Sequence, residues 1–199
     1  MNFKNIKMFY LISCVILGLI ILLPTIFAVV SFPESGRFSE LWILGSNNII
    51  ENRSFNVLLN KFYTVHVGVS NRMGELEYYL IYVKLHTQSE VLANKNTSLP
   101  SALEPIYEYR LFLSNNETIE EDFTFSLEDV SFEANISRVS RLSINGQNVE
   151  VDKSIIWDDS SNGFYSQFVF ELWVYNATIS EFEYHNRSVF FWFNITNTI

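Results

Sequence analysis

Apolar and polar positions follow two different rules along this chain. Between Lys7 and Glu34 no charged residue occurs, and Met8 to Phe32 reads MFYLISCVILGLIILLPTIFAVVSF. About 20 apolar residues, each rising about 1.5 Å, cross a hydrocarbon layer of about 30 Å. Only a helix satisfies its own backbone groups there, so the run predicts a membrane-spanning helix over residues 8–32. Lys4 and Lys7 precede it, which places residues 1–7 in the cytoplasm and residues 33–199 outside the cell. A cleaved signal peptide is the rival reading. Its apolar core is ordinarily about 7–15 residues and ends at small residues, whereas this run continues to Val30 and ends at Val29-Val30-Ser31. An archaeal pilin-type signal is a third reading, but Lys7 is followed by Met8 rather than by a small residue.

Beyond the run, alternation takes over. Tyr63, Val65, Val67 and Val69 share one face, as do Tyr79, Ile81, Val83 and Leu85. Tyr107, Tyr109, Leu111 and Leu113 alternate with Glu108 and Arg110, and Phe123, Phe125 and Leu127 with Thr124 and Ser126. Phe164, Phe168, Phe170, Leu172 and Val174 form a fifth row, and Val189, Phe191, Phe193 and Ile195 a sixth. Period two over such lengths predicts half-buried strands, and the β-branched and aromatic content agrees. No helix is expected after residue 32. Turns fall at Asn71-Arg-Met-Gly74, Asn145-Gly146 and Asn162-Gly163, the last two with the positive-φ chemistry of primed hairpins. The polar stretch from Thr87 to Pro105 reads as a long exposed loop. Seven or more short strands define an all-β chain and imply an antiparallel β-sandwich.

Composition narrows the function. The 199 residues carry 13 Lys and Arg against 22 Asp and Glu, a formal charge of -9. Nucleic acid is therefore excluded as a partner, because its phosphates require a basic footprint. Aromatics at 16% leave ample apolar surface to offset chain entropy, so disorder is excluded too. The single cysteine, Cys14, allows no internal disulfide. Asn-x-Ser/Thr acceptors occur at Asn52, Asn96, Asn116, Asn135, Asn176, Asn186 and Asn194, all outside the expected span. An Asn-rich composition explains part of this. The first six are taken as glycosylation sites; Asn194 falls inside an expected strand and is a poor acceptor.

Two segments share Glu-Leu-Trp, at Glu40-Leu41-Trp42 and Glu171-Leu172-Trp173. On a strand, Glu171 and Trp173 share a face with Gln167, Tyr165 and Tyr175, while Leu41 and Leu172 turn to the core. Aromatic planes beside a carboxylate and an amide form the kind of strip that binds sugar. The plainer account is Trp packed under a loop with Glu as a solvated charge. Asp158-Asp-Ser-Ser-Asn-Gly163 resembles the start of a calcium loop, but Val169 stands where the bidentate Glu belongs. His66, His86 and His185 lack ligand-pair spacing, and Glu120-Glu121-Asp122 reads as a solvated loop cluster. No G-x-S-x-G or phosphate-cradling loop is present. No catalytic residue, metal or cofactor is expected.

The segment Phe38-Ser-Glu-Leu-Trp-Ile-Leu-Gly45, then Phe55-Asn-Val, then Val65-His-Val-Gly-Val-Ser-Asn71 with Gly74 and the strand from Tyr78 to Leu85, resembles an archaeal family of predicted membrane proteins of unknown function. Leu41-Trp42 departs from the two other aromatics its pattern prefers. The resemblance implies an immunoglobulin-like sandwich as ectodomain and brings no activity. The expectation is a single-pass, non-catalytic envelope protein, glycosylated outside, whose partners are the membrane and surface-layer proteins or glycans. A carbohydrate-binding module is the first alternative, an envelope enzyme or pilin-like subunit the second.

Overall fold

A computed structural model describes residues 8, 10, 12–20, 22, 36–45, 55–90 and 99–196. The chain divides into two compact units, Met1–Arg37 and Phe38–Ile199. In the first, the described residues are helical up to residue 22, and Ile12, Val15, Ile16, Leu17, Leu19 and Ile20 are all exposed. No helix among the described residues is long and apolar enough to cross a membrane; the rest of the expected span lies outside them.

The second unit is all β. Its described strands are β1 (Phe38–Gly45), β2 (Phe55–Leu58), β3 (Tyr63–Arg72), β4 (Glu77–Thr87), β5 (Tyr107–Leu113), β6 (Thr118–Glu133), β7 (Ile136–Ile144), β8 (Gln147–Ile156), β9 (Phe164–Asn176) and β10 (Glu181–Thr196). They form two five-stranded sheets, ordered β1-β3-β6-β7-β8 and β2-β10-β9-β4-β5. The first two strands are split between the sheets, β1 antiparallel to β3 and β2 parallel to β10. That parallel pair corrects the expectation of a wholly antiparallel sandwich. In the first sheet β6, β7 and β8 run outward as a meander.

The inward rows are those the alternation marks. Val65, Val67 and Val69 of β3 and Phe123, Phe125 and Leu127 of β6 meet Tyr79, Ile81 and Val83 of β4 and Phe168, Phe170 and Leu172 of β9, all buried in one core. Phe125 lies 4.8 Å from Phe168 and 5.8 Å from Phe193, ring centre to ring centre. Each such ring contributes about 1.5–3 kcal/mol of burial, with about 0.5–1.5 kcal/mol more for a well-oriented pair. That packing, rather than a cross-link, joins the sheets. A buried hydrogen bond of 2.7 Å between the Ser39 and Tyr79 hydroxyls spans them as well.

Turn chemistry sets the hairpins. Asn145 and Gly146 both have positive φ, as a type I′ turn requires. The Asn145 side chain also accepts from the Thr124 amide and donates to the Tyr109 hydroxyl, tying the turn to both sheets. At the β3–β4 turn, buried Asn71 accepts from the Met73 amide and donates to the carbonyls of Glu75 and Leu113. Gly163 departs from expectation. Asn162 has the positive φ, and Gly163 is needed because a Cβ would lie 2.4 Å from the Asn194 amide oxygen.

Candidate functional site

The outward face of the second sheet carries the densest set of side chains able to do chemistry. Register places them in rows. Leu80 of β4 pairs with Trp173 of β9 and Arg110 of β5, Tyr82 with Glu171 and Glu108, Lys84 with Val169, and His86 with Gln167. On β10, Tyr184 lies opposite Trp173, Ser188 opposite Glu171 and Trp192 opposite Gln167.

One end of this face is closed. The segment around Ser101 crosses it, and Ser101 meets three side chains at once. Its amide donates to Glu171 Oε1 at 2.8 Å, its carbonyl accepts from Lys84 Nζ at 2.8 Å, and its hydroxyl lies 3.0 Å from His86 Nε2. Lys84 and Glu171 are themselves paired at 2.8 Å with almost no exposure. The stretch from Thr87 to Pro105 is therefore not exposed throughout: Ser101 is buried beneath the surface it was expected to stand above. Glu171 is likewise a buried ion-pair partner and not a solvated charge.

The strip of Trp173, Glu171, Gln167 and Tyr165 consequently does not lie open. Glu171 and Gln167 are buried, and Trp173 is half-buried between Tyr82 at 5.4 Å and Tyr184 at 5.8 Å. Tyr165 donates its hydroxyl to the Ser161 carbonyl. Gln167 Oε1, His86 Nδ1 and Trp173 Nε1 are buried without a hydrogen-bond partner among the described residues. Burial pushes His86 down to about 4; Glu90 opposes the shift, and Lys153 and Lys84 add to it. Despite its own burial, Glu90 is held below the usual carboxylate range by Lys153, 2.6 Å away, and by the Thr87 amide.

The other end of the face is open. Phe112, on the edge strand β5, is 65% exposed and stacks on Tyr78 with ring centres 4.1 Å apart and planes 6° from parallel. Phe182 meets Tyr78 at 4.9 Å and Tyr175 at 5.4 Å, both edge-on. Arg110 lies 5.8 Å from the Phe182 ring, pairs with Glu108 at 2.7 Å and donates to the Tyr78 hydroxyl at 3.2 Å. The alternation in β5 holds the signal for this cluster: Phe112 shares the polar face of Glu108 and Arg110, the wrong side for a core residue.

Other singled-out groups have structural partners. Asp158 Oδ1 accepts from the Ser160 hydroxyl at 2.6 Å and from the Ser160 and Ser161 amides, and its Oδ2 from Gln88, closing a turn. These bonds hold its carboxyl far below the usual range. Glu120-Glu121-Asp122 lies within β6 and not in a loop. There Glu120 accepts from the Trp42 indole at 3.2 Å, and Asp122 meets His66 at 2.7 Å. Trp42 lies so close over Gly68 that a Cβ there would fall 2.0 Å from the ring. Burial pushes His185 down, with Arg187 adding to the shift.

Of the acceptor asparagines, Asn52 and Asn96 lie outside the described residues. Asn116 and Asn135 sit exposed at turns, while Asn176 and Asn186 are half-buried. The Asn176 amide donates to Glu183, and the Asn186 amide oxygen is buried at the β10 bulge. Asn194 is buried with both amide atoms bonded, to the Phe164 amide and to Asn56, so it has no room for a glycan.

No protein-family model and no curated protein matches this chain. Among solved structures it is similar to the CARDB domain of the PF1109 protein from Pyrococcus furiosus, described in complex with di-metal ions. That match has 10% identity and a TM-score of 0.39, over 81% of this chain and 90% of that one. It is also similar to part of a β-glucosidase from Listeria innocua, described in complexes with gluconolactone and with glucose, at 10% and 11% identity and a TM-score of 0.34. There it covers 81% of this chain but 17% of the enzyme. Neither likeness supplies a residue correspondence; the β-sandwich stands on the strand order and core described above.

Proposed function

We propose that this chain is a membrane-tethered envelope protein whose β-sandwich serves a non-catalytic binding or structural role outside the cell. The observation that carries the tether is the charge-free run from Met8 to Phe32, with Ile12, Val15, Ile16, Leu17, Leu19 and Ile20 all exposed on its helical part. A helix apolar on every side needs an apolar surrounding, and a bilayer provides one. The two lysines ahead of it set the orientation, and exposed acceptors at Asn116 and Asn135 are consistent with an exported surface. A tether holds the sandwich near the membrane and raises its effective concentration for partners there.

The test is topology. The full chain should sediment with membranes, resist alkaline carbonate and dissolve in detergent. Protease added to intact cells should remove the carboxy-terminal unit. Release by carbonate would remove the tether, and protection of the sandwich while a control ectodomain is cut would reverse the orientation.

A further inference from the structure

We infer that the open aromatic end of the second sheet, formed by Tyr78, Phe112, Tyr175 and Phe182 with Arg110 and Glu108, binds an uncharged chain of pyranose sugars. The inference deepens the binding role proposed above, and it moves the site from the closed Trp173 end to the edge of the sheet.

The first argument is exposure. Phe62 and Phe190 are exposed rings as well, so what sets Phe112 apart is the ring stack that holds it. Phe112, itself on the outermost strand, is 65% exposed with one ring face held against Tyr78. Its position is fixed by that 4.1 Å stack, so little side-chain freedom is lost when a ligand covers the other face. A pyranose ring offers a flat set of C–H groups to such a plane and a rim of hydroxyls around it.

The second argument is the polar rim. Arg110 and Glu108 project on the same side of β5 as Phe112, at successive alternate positions. They are paired at 2.7 Å and exposed, presenting planar donors and acceptors of the kind that bind neighbouring hydroxyls in pairs. Their charges cancel within a chain of formal charge -9, so the patch has no field to attract an anionic polymer, and an uncharged one meets no repulsion.

The same pair argues against two other occupants. A second copy adding a strand at β5 would press this exposed pair into an interface, and charges on an edge strand oppose such pairing. A lipid surface would have to desolvate both ions.

The experiment uses the full chain, produced in a host without N-glycosylation and held in a zwitterionic detergent, so that no sugar headgroup competes. Maltohexaose, cellohexaose, laminarihexaose and mannohexaose are titrated by calorimetry to millimolar concentration. At least one should bind saturably. Phe112→Ala should weaken that binding about tenfold or more, equivalent to about 1.4 kcal/mol, and Arg110→Gln should weaken it as well. Both variants should stay folded and melt within several degrees of the parent, because each loses only exposed surface contacts. Phe62→Ala, an equally exposed ring ahead of β3 in the first sheet, should bind like the parent. Absence of saturable binding across the four sugars, or binding unchanged in Phe112→Ala, overturns the inference. So does a Phe112→Ala chain whose only change is a lower oligomeric state in sedimentation, which would assign the face to a second copy. These readouts do not depend on the tether, so its failure and the failure of the sugar site are separately visible.

Discussion

At the residue scale, side chains that look ordinary in the sequence hold several backbone groups at once. Asn71 satisfies one amide and two carbonyls at the β3–β4 turn, all through a single buried amide. Asn71→Ala would leave the buried Leu113 carbonyl without this donor, at about 1–3 kcal/mol, and release two part-buried turn groups at a smaller cost. Chemical denaturation should show a loss of about 2–4 kcal/mol with unchanged secondary structure. His86 makes a pH prediction. Its ordinary value is 6.5, and burial lowers it to about 4 in the folded chain. The unfolded chain therefore takes up a proton near 6.5 that the folded chain refuses until about 4. Stability from this group is full above 6.5 and is lost as pH falls toward 4, by a few kcal/mol. Lys84 and Lys153 oppose a charge on His86, and Glu90 offsets part of that opposition. Melting temperatures measured between pH 7 and pH 4 should fall less steeply in His86→Gln than in the parent. His185, also shifted down, accounts for part of the remaining slope.

At the element scale, the strands legible in the sequence are those whose alternation runs unbroken. β5 reads off directly from Tyr107 to Leu113, and β4 within two residues at each end. Bulges hide two of the others in whole or in part. In β7 the register shifts between Val139 and Arg141, so Val139, Leu142 and Ile144 point inward at unequal spacing and show no period of two. In β10 the shift between Tyr184 and Arg187 confines the visible pattern to its second half. β8 escapes because it is an edge strand with Ile155 as its one fully buried apolar residue. The candidate site was half legible: pairing rules put Glu171, Trp173 and Gln167 on one face, but nothing local reveals that a segment about 70 positions away covers them. Lys84 within an apolar strand was the available clue, since an ion there needs a partner. Lys84→Ala should cost about 3–5 kcal/mol by leaving the Glu171 charge buried and unpaired. The double variant Lys84→Met, Glu171→Leu should recover most of that loss in the same denaturation assay, and a double variant as unstable as the single one would show that the clasp depends on more than this pair.

At the scale of the whole molecule, a change of hydrophobic period separates a charge-free amino-terminal run from an alternating remainder, and the chain divides into two compact units. The division falls at residue 37, a few positions past the end of the run. The order in which the strands assemble was not readable. β10, the last of the described strands, is not a border of its sheet; it lies between β2 and β9. Until β10 docks, β2 has no neighbour in that sheet and one edge of β9 stays unpaired, so this single strand decides whether the sheet is whole.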